Sequence, residues 1–447
     1  MKKKIISILG SGRSAFTLIE YLSTRSKVTD TVVRVYDRNA TESLGHLDAK
    51  DAEAIDADLT DRDLRRSIVK SSDLIISMLP VRFHCMVAED CIEFGKHMVT
   101  ASYVTKEMEA LQKAALNSGV TLLNEMGLDP GIDHMSAMKI IHEIQERGGQ
   151  VRAFESFTGG LLAPESEENN PWQYKFTWNP RNVITAGSGG AVKFLDHKNF
   201  KFIPYHRVFR RTEIINLKEF GKFEGYANRD SLKYQELYGL EHVETMFRGT
   251  LRRPGFCKAW DVFVQIGATD DSYNIRTEGK MTHRSFINSF LKFHPTDSVE
   301  LKLMQYLKLD QDDVDVMEKL EWLGIFKEEL IEMEEGSPAD ILQYIVEKKW
   351  TLESGERDMI VMWHKFLYTL DNEEREVHSY MAVKGDDLYH TAMSKSVGLP
   401  VALGAELILN GSINQAGVLR PLQKEIYLPI LKSLKNMGIE FYERRIA

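Results

Sequence analysis

The sequence predicts an α/β protein with a doubly wound parallel sheet, a second α/β domain with a mixed sheet, and a small all-helical domain. Three observations support this prediction. The first 130 residues alternate short apolar runs with amphipathic stretches, which is typical of parallel strands joined by helices. From about residue 150, apolar and polar residues alternate with period two and aromatic residues are frequent. Residues 284–356 contain almost no glycine and are rich in Leu, Met, Glu and Lys at helical spacing.

Composition narrows the class of protein. The chain has 447 residues, 43% of them apolar and 10% aromatic, which is enough for two or three domains with sizeable cores. The formal charge of −9 is spread along the chain and argues against a nucleic-acid or membrane-surface role. Cys85, Cys91 and Cys257 form no CxxC pair, and we expect neither a disulfide framework nor a metal site. No apolar run approaches the roughly 18 residues of a membrane span, so we expect a cytoplasmic protein.

Six strands are predicted before residue 130, in the segments KIISILG, TVVRVYD, AEAIDAD, SDLIISMLP, HMVTAS and GVTLLNE. The beginning, MKKKIISILG, has the lysines and the apolar run of a signal peptide. However, the run is short and Arg13 follows it, so we interpret it as the first strand.

The alternation of apolar and polar residues that begins near residue 150 predicts strands in VRAFESFTGGL, YKFTWN, AVKFLDH, FKFIPYHRVF and WDVFVQIGA. It also predicts a later pair of strands in MIVMWHKFLYTL and EREVHSYMAV, around the turn DNEE. Helices are predicted in TAMSKSVGLPVALGAELILNG and from about Leu422 to Gly438. Gly187, Gly189 and Gly190 predict a flexible turn, because the lysine and threonine of a P-loop are missing. The predicted domains are 1–130 with 388–412 packing on it, 131–283 with 357–387, and 284–356; residues 413–447 return to one of the first two.

The segment ILGSGRSA carries the first chemical motif, G-x-G-x-x-A, at Gly10, Gly12 and Ala15. After a strand, Gly10 permits a sharp turn, Gly12 lets a pyrophosphate approach the backbone, and Ala15 permits close helix packing. The motif lies between the first strand and a helix. It therefore predicts a Rossmann-type dinucleotide-binding domain.

An acid ends the second strand, VVRVYD, and bears on the cofactor. Asp37 can accept the ribose hydroxyls and would repel a 2′-phosphate, which favours NAD. Arg38 beside it can hold such a phosphate, so NADP remains possible. Asp58 and the turn from Ser77 to Pro80 follow two other strands and are expected at the same carboxyl edge of the sheet.

The stretch NEMGLDPGIDH follows the sixth predicted strand and ends at the same edge. Pro130 disfavours helix at Asp129, and the flanking Gly127 and Gly131 permit unusual backbone conformations. The turn therefore presents Asp129 as a fixed carboxylate near the nicotinamide end of the cofactor. We expect Asp133 to cap the following helix.

Long strings of the chain resemble one family. NEMGLDPGIDHMSAMKII, GGLLAPESEENNPWQYKFTWNPRNV, ANRDSLKYQELYGL and FRGTLRRPGF together resemble saccharopine dehydrogenase of the L-glutamate-forming kind, also called saccharopine reductase, over essentially the whole chain. The resemblance implies NAD(P)-linked interconversion of saccharopine with glutamate and 2-aminoadipate 6-semialdehyde in amino-acid (lysine) metabolism. It also implies a homodimer formed through the second α/β domain, with hydride transfer at the boundary of the first two domains. At Arg13, Ser14 and Phe16 the chain departs from the apolar residues and proline usual in the family, which bears on cofactor preference.

Saccharopine carries three carboxylates, and arginine presents paired donors that match carboxylate geometry. Residues 205–253 contain seven arginines: Arg207, Arg210, Arg211, Arg229, Arg248, Arg252 and Arg253. The resemblance selects the substrate contacts Ala101, Ser102, Asp129, Arg229, Thr250, Leu251 and Arg252. Of these, Asp129 is expected at the amine side of the substrate, and Ala101 and Ser102 at the border with the cofactor.

The predicted cofactor contacts are Gly10, Ser11, Gly12, Arg13, Ser14, Asp37, Arg38, Asp58, Leu59, Ser77, Ala101, Leu128 and Asp129. A proton carrier is still required, because the amine must be neutral to release hydride. His84, Tyr103 and His134 are its candidates. Two alternative functions stay open: a related imine-reducing dehydrogenase of the carboxynorspermidine type, whose polyamine substrate calls for more acids, and a catalytically silent dinucleotide sensor.

Overall fold

The computed structural model describes residues 3–186, 190–217 and 220–446. Two compact units are present: Met1–Gln150 with Tyr368–Ala447, and Val151–Leu367. The domain boundaries predicted from the sequence stay predictions. Gly187 and Gly189 of the predicted flexible turn lie outside the described residues.

The strands, in chain order, are β1 (Lys4–Leu9), β2 (Thr31–Asp37), β3 (Ala52–Asp56), β4 (Leu74–Ser77), β5 (His97–Thr100), β6 (Thr121–Leu123), β7 (Gln150–Leu162), β8 (Val192–Asp196), β9 (Asn199–Ile203), β10 (Thr212–Leu217), β11 (Gly221–Ala227), β12 (Thr245–Arg252), β13 (Ile275–Arg276), β14 (Glu335–Gly336), β15 (Asp358–Leu370), β16 (Glu373–Lys384), β17 (Gly417–Leu419) and β18 (Tyr442–Ile446).

The α-helices, in chain order, are α1 (Phe16–Arg25), α2 (Ala40–Leu44), α3 (Arg62–Ser71), α4 (His84–Phe94), α5 (Lys106–Ala110), α6 (Gln112–Asn117), α7 (Ile132–Glu146), α8 (Pro180–Ile184), α9 (Lys233–Leu237), α10 (Phe256–Ile266), α11 (His283–Ser289), α12 (Val299–Leu307), α13 (Val314–Trp322), α14 (Pro338–Trp350), α15 (Ala392–Leu409) and α16 (Lys424–Asn436).

The first unit contains a parallel sheet in the order β17-β6-β5-β4-β1-β2-β3. Every neighbouring pair in it is parallel, so the carboxyl ends of the strands share one edge. The six strands predicted before residue 130 and the predicted fold class are confirmed. β17 was missed, because a strand of three residues is stabilised by its pairing with β6 rather than by an apolar pattern of its own.

Helix α15 confirms the prediction from TAMSKSVGLPVALGAELILNG. By length and composition alone it could cross a membrane, but 72% of it is buried inside the protein, as in a core helix. Its Gly398 faces the backbone of Leu18, where a Cβ would lie 2.9 Å from the amide nitrogen. The hydroxyl of Ser394 accepts the Thr17 N–H at 3.0 Å. The first residues of α1 are therefore fixed by a segment almost 400 positions away in sequence.

In the second unit the sheet order is β10-β11-β12-β7-β15, and β8 pairs with β12 and β9. The β12 and β7 pair is parallel, whereas β11 is antiparallel to both of its neighbours, which confirms the predicted mixed sheet. The helices α11 to α14 account for about half of residues 284–356, and β14 pairs with β13.

Two strand predictions in this unit are wrong. WDVFVQIGA lies mainly in α10, which begins after Gly255 and ends before Gly267, both at positive φ. Nearly all residues of α10 are buried, so apolar residues occur on most sides of the helix. Their order in the sequence therefore does not indicate the two-residue period of a strand. YKFTWN forms no strand beyond one isolated bridge at Phe176, because its aromatic side chains pack around Trp350 instead.

Candidate active site

The glycine turn after β1 has the conformation that a dinucleotide-binding turn requires. Gly10 has φ +103°, and a Cβ there would lie 2.9 Å from the carbonyl oxygen of Met78. Among the described residues, no atom outside Gly12 and its two chain neighbours lies within 4 Å of the position where a Cβ on Gly12 would be, so a phosphate can approach this backbone. Arg13, Ser14 and Ala15 form a single 3₁₀ turn that leads into α1. These residues fit a pyrophosphate.

Asp37 closes this turn from the end of β2. Its Oδ2 accepts the Ser11 N–H at 2.7 Å, so the carboxylate is held in one orientation beside the glycines. The neighbouring Arg38 lies 3.3 Å from Asp58 Oδ2, and both side chains are more than half exposed. Hydrogen bonds from Thr60 are the main cause that lowers the pKa of Asp58. Asp37 and Arg38, whose charges bear on the choice between NAD and NADP, therefore both lie at the carboxyl edge of the sheet.

A cleft of about 240 Å³ opens at this edge. It is lined by Asp37, Arg38, Ala57, Asp58, Leu59, Thr60, Leu79, Pro80, Arg82 and Phe83. The predicted contacts Asp58 and Leu59 lie in it. Sequence reasoning missed Arg82, whose guanidinium lies 4.8 Å from the ring centre of Phe83 and adds a second cation to the cleft. The signal that could have found it is its position just after the turn from Ser77 to Pro80.

His84, at the start of α4, bridges two strand ends. Its Nδ1 lies 2.8 Å from the hydroxyl of Ser77 at the end of β4, and its Nε2 lies 2.8 Å from the hydroxyl of Ser102 beyond β5. The ring is buried, and burial lowers the pKa of His84 to about 4. It is therefore neutral near pH 7, with each nitrogen within hydrogen-bond distance of a hydroxyl. The predicted contacts Ser77 and Ser102 are thus joined through a predicted proton carrier.

Tyr103 and Asp129 are brought together at the same edge of the sheet. The Tyr103 hydroxyl donates to Asp129 Oδ1 at 2.6 Å, and both residues are half-buried. The turn that carries Asp129 is closed by the Gly127 N–H, which donates to the Pro130 carbonyl at 2.9 Å. A Cβ on Gly131 would lie 2.0 Å from the Gly127 oxygen, so this approach requires glycine. The Asp129 carboxylate is presented by a rigid turn, as the sequence predicts.

Neighbouring predicted contacts support this turn. A Cβ on Gly127 would lie 3.1 Å from the Cβ of Ala101, so Ala101 lies directly against the backbone of the turn. Leu128 is buried, and its carbonyl accepts the Asp133 N–H at 3.0 Å. Both residues lie next to the Asp129 turn, and their assignment as cofactor contacts stays a prediction.

The predicted cap at Asp133 is wrong in its detail. Helix α7 begins at Ile132, and Asp133 stands in its first turn, from where its carboxylate accepts the Gly131 N–H at 2.6 Å. The sequence placed the beginning of the helix after Asp133, whereas the helix begins at Ile132 and has Gly131 as its N-cap residue. Next to it, the fully buried His134 places Nε2 2.8 Å from Glu125 Oε2.

Arg252, at the end of β12 in the second unit, is a buried cation. It is 5% exposed, and its guanidinium carbon lies 4.8 Å from the ring centre of Tyr174 and 5.2 Å from that of Phe256. Its Nη1 donates to the Leu251 carbonyl at 3.0 Å. Within residues 3–186, 190–217 and 220–446, Nε has no hydrogen-bond partner and the side chain forms no ion pair. A buried guanidinium in this state is suited to an anionic ligand.

The other arginines of residues 205–253 divide by their contacts. Arg210 pairs with Asp261 and Arg253 with Glu167. Arg211 lies over Phe194, Arg248 over Tyr234, and Arg207 is exposed. These contacts stabilise the unit itself.

The remaining predicted substrate contacts lie near Arg252 in sequence and on neighbouring strands. Arg229 has φ +48°, an uncommon value for a residue with a side chain, just beyond the end of β11. Thr250 is half-buried on β12 and pairs in register with Tyr226 of β11 and Thr158 of β7. Leu251 is fully buried.

Two family models cover most of the chain. The saccharopine dehydrogenase NADP binding domain matches residues 6–123, and the saccharopine dehydrogenase C-terminal domain matches residues 127–439. The chain belongs to the saccharopine dehydrogenase family. The resemblance noted from the sequence is thereby confirmed. Among members of the saccharopine dehydrogenase family, the L-glutamate-forming, NADP(+) enzyme of Schizosaccharomyces pombe is 33% identical, with 99% of each chain covered.

A solved structure gives the same result. Apo saccharopine dehydrogenase (L-Glu forming) from Saccharomyces cerevisiae matches with a TM-score of 0.89 and 30% identity, over 99% of this chain and 100% of that one. The alpha-aminoadipic semialdehyde synthase of Arabidopsis thaliana is 33% identical over 99% of this chain but only 45% of its own length. The chain thus spans about half the length of the semialdehyde synthases that it matches.

Proposed function

We propose that the chain is an NAD(P)-dependent saccharopine dehydrogenase that forms L-glutamate and 2-aminoadipate 6-semialdehyde. The observation that carries this proposal is Arg252, a buried guanidinium whose Nε lacks a hydrogen-bond partner and which forms no ion pair among the described residues. A substrate with three carboxylates would supply the missing partner. The family membership gives the class of reaction, and Arg252 gives a reason for a polyanionic substrate instead of a polyamine.

The nicotinamide cofactor supplies the hydride acceptor, and Gly10, Gly12 and Asp37 would hold it. The chain must then bind the carboxylates, orient the secondary amine, and move protons as the imine forms and water splits it. We assign carboxylate binding to Arg252 and Arg229. We assign the amine to Asp129, whose carboxylate is fixed by the Tyr103 hydroxyl at 2.6 Å and can hold a proton near that nitrogen.

We further propose that NAD is preferred over NADP. Asp37 is fixed beside the pyrophosphate turn by the Ser11 N–H, and its negative charge would repel a 2′-phosphate. Arg38 and Arg82 oppose this effect, and their presence predicts that NADP is still used. Replacing Asp37 with serine should raise the ratio of kcat/KM for NADP to that for NAD by at least about fivefold, the effect of one unit charge at a solvated site. An unchanged ratio would remove Asp37 as the determinant.

The function is tested by following NADH or NADPH formation from saccharopine with the purified protein, beside carboxynorspermidine as the rival substrate. Oxidation of carboxynorspermidine in preference to saccharopine, or of neither, would overturn the proposal.

Arg252→Lys should raise the KM for saccharopine about 10- to 100-fold, because a charge-assisted hydrogen bond contributes about 1.5–3 kcal/mol. Arg210→Lys is the matched control: the same substitution in the same unit, at an arginine that pairs with Asp261 and is 55% exposed.

The family resemblance also leads us to propose a cytoplasmic homodimer. Light scattering of the purified protein should give about twice the chain mass of 51.2 kDa. A mass of one chain would contradict the dimer. Cell fractionation with an antibody to the chain tests the location.

A further inference from the structure

Glu125, two residues beyond β6, combines two features that are each unfavourable. Its backbone has φ +57°, a conformation that a residue with a side chain seldom adopts. Its carboxylate is also buried, and the residue is only 4% exposed. Glycine would fit this backbone without strain, and a neutral residue would avoid burying a charge. The contacts of the Glu125 side chain must offset both costs.

These contacts hold the backbone on both sides of Tyr103. The Glu125 N–H donates to the Ser102 carbonyl at 3.1 Å, and Glu125 Oε1 accepts the Val104 N–H at 2.9 Å. Tyr103 lies between these two bonds, and its hydroxyl donates to Asp129 at 2.6 Å. One residue therefore fixes the segment from which the tyrosine reaches the carboxylate.

The same carboxylate also lies against the opposite side of the site. Its Oε2 lies 2.8 Å from Nε2 of His134, which is in the first turn of the helix that follows the Asp129 turn. Oε1 also accepts from Nε of Arg420, the residue after β17, at 3.2 Å. The second partner of Arg420 is Glu109, a mostly exposed side chain on α5. Glu125 is therefore hydrogen-bonded to the Tyr103 segment and to the C-terminal segment, and it lies against the helix after Asp129.

We propose that Glu125 is a positioning residue, which sets the Tyr103 hydroxyl on Asp129 and is itself held by Arg420. The catalytic consequence rests on the proposed function, whereas the hydrogen bonds do not. Glu125→Asn is the informative variant. Asparagine tolerates positive φ, so the backbone conformation is kept, but its shorter side chain does not reach Val104. Glu125→Gln keeps the reach and an acceptor oxygen, and is the conservative variant.

The first measurement is hydrogen exchange of the Val104 amide in the free protein. We expect exchange about tenfold faster in Glu125→Asn, the effect of one lost hydrogen bond of roughly 1.4 kcal/mol, and a partial return in Glu125→Gln. Glu109→Asn removes the other partner of Arg420 and serves as the matched control, with Val104 exchange as in the wild type. Unchanged Val104 exchange in Glu125→Asn would overturn the proposal without any reference to substrate.

The second measurement separates positioning from general stability. If Glu125 acts through Tyr103, Glu125→Asn should lower kcat for saccharopine, leave the dissociation constant of the cofactor unchanged, and add no further loss in kcat to Tyr103→Phe. Additive losses in the double variant would overturn the proposal. Faster Val104 exchange in a protein whose wild type does not oxidise saccharopine would support the hydrogen bonds and refute the proposed function instead.

Discussion

The unusual state of His84 leads to a prediction about acid stability. Folding buries this ring and lowers its pKa from 6.5 to about 4, so the folded protein takes up this proton less readily than the unfolded chain. The contribution of His84 to stability is complete above pH 6.5 and is lost as the pH falls from there towards 4. At pH 5 the two pKa values correspond to a loss of about 2 kcal/mol.

The perturbation is the substitution His84→Gln combined with acidification from pH 7 to pH 5. For a unit of this size, about 2 kcal/mol corresponds to a shift in Tm of about 4–8 °C. The fall in Tm between the two pH values should therefore be smaller by this amount in His84→Gln than in the wild type. Calorimetry at each pH measures the difference, and the exposed His46, changed to glutamine, serves as the control with a wild-type pH response.

Nuclear magnetic resonance of labelled histidines measures the pKa of His84 directly. A His84 that titrates at or above pH 6.5 would refute the reasoning, because burial between Ser77 and Ser102 would then fail to disfavour the charged ring. An equal fall in Tm for the wild type and His84→Gln would refute the linkage to stability.

Three substitutions test other parts of the first unit. Gly10→Ala should weaken NAD binding at least about fivefold, because a side chain at φ +103° meets backbone atoms; titration of cofactor fluorescence measures this. Gly131→Ala should displace the turn at Gly127 and lower kcat for saccharopine; a normal kcat would show that the turn need not be rigid. Asp90→Asn should destabilise the unit by about 3–5 kcal/mol, because Arg65 would remain buried without its ion-pair partner; calorimetry measures this, and a loss below about 1 kcal/mol would contradict it.

The parallel sheet was predictable because each strand carries its own signal. Six apolar runs of strand length were enough for β1 to β6, and the glycine at position 10 is required by local geometry. β17 carries no such signal, since its three residues depend on β6. The alternation in WDVFVQIGA favoured a strand, yet burial on almost all sides of α10 allows that order of residues in a helix.

Candidate site residues also differ in whether their local sequence or a distant contact determines their position. The turn that holds Asp129 was predictable because glycine and proline around it restrict the chain locally. Glu125 was not singled out, although it stands in the same stretch, because its role depends on Val104 and Arg420, and Arg420 lies 295 positions away in sequence. The sequence of a single chain contains no signal for a hydrogen bond of that separation. Arg252 was selected by resemblance, and its lack of an ion pair among the described residues appears only in the structure.

The contacts of the three predicted proton carriers differ in what they permit. A carrier must lie within reach of the substrate amine in order to exchange a proton with it. His84 has a hydroxyl within 2.8 Å of each nitrogen and a pKa of about 4, so protonation is unfavourable. His134 is fully buried, with Nε2 against Glu125. Tyr103 is half-buried, and its hydroxyl donates to Asp129, the carboxylate that we assign to the amine. We therefore propose Tyr103 with Asp129 as the proton carrier, with His84 hydrogen-bonded to Ser102 and His134 lying against Glu125.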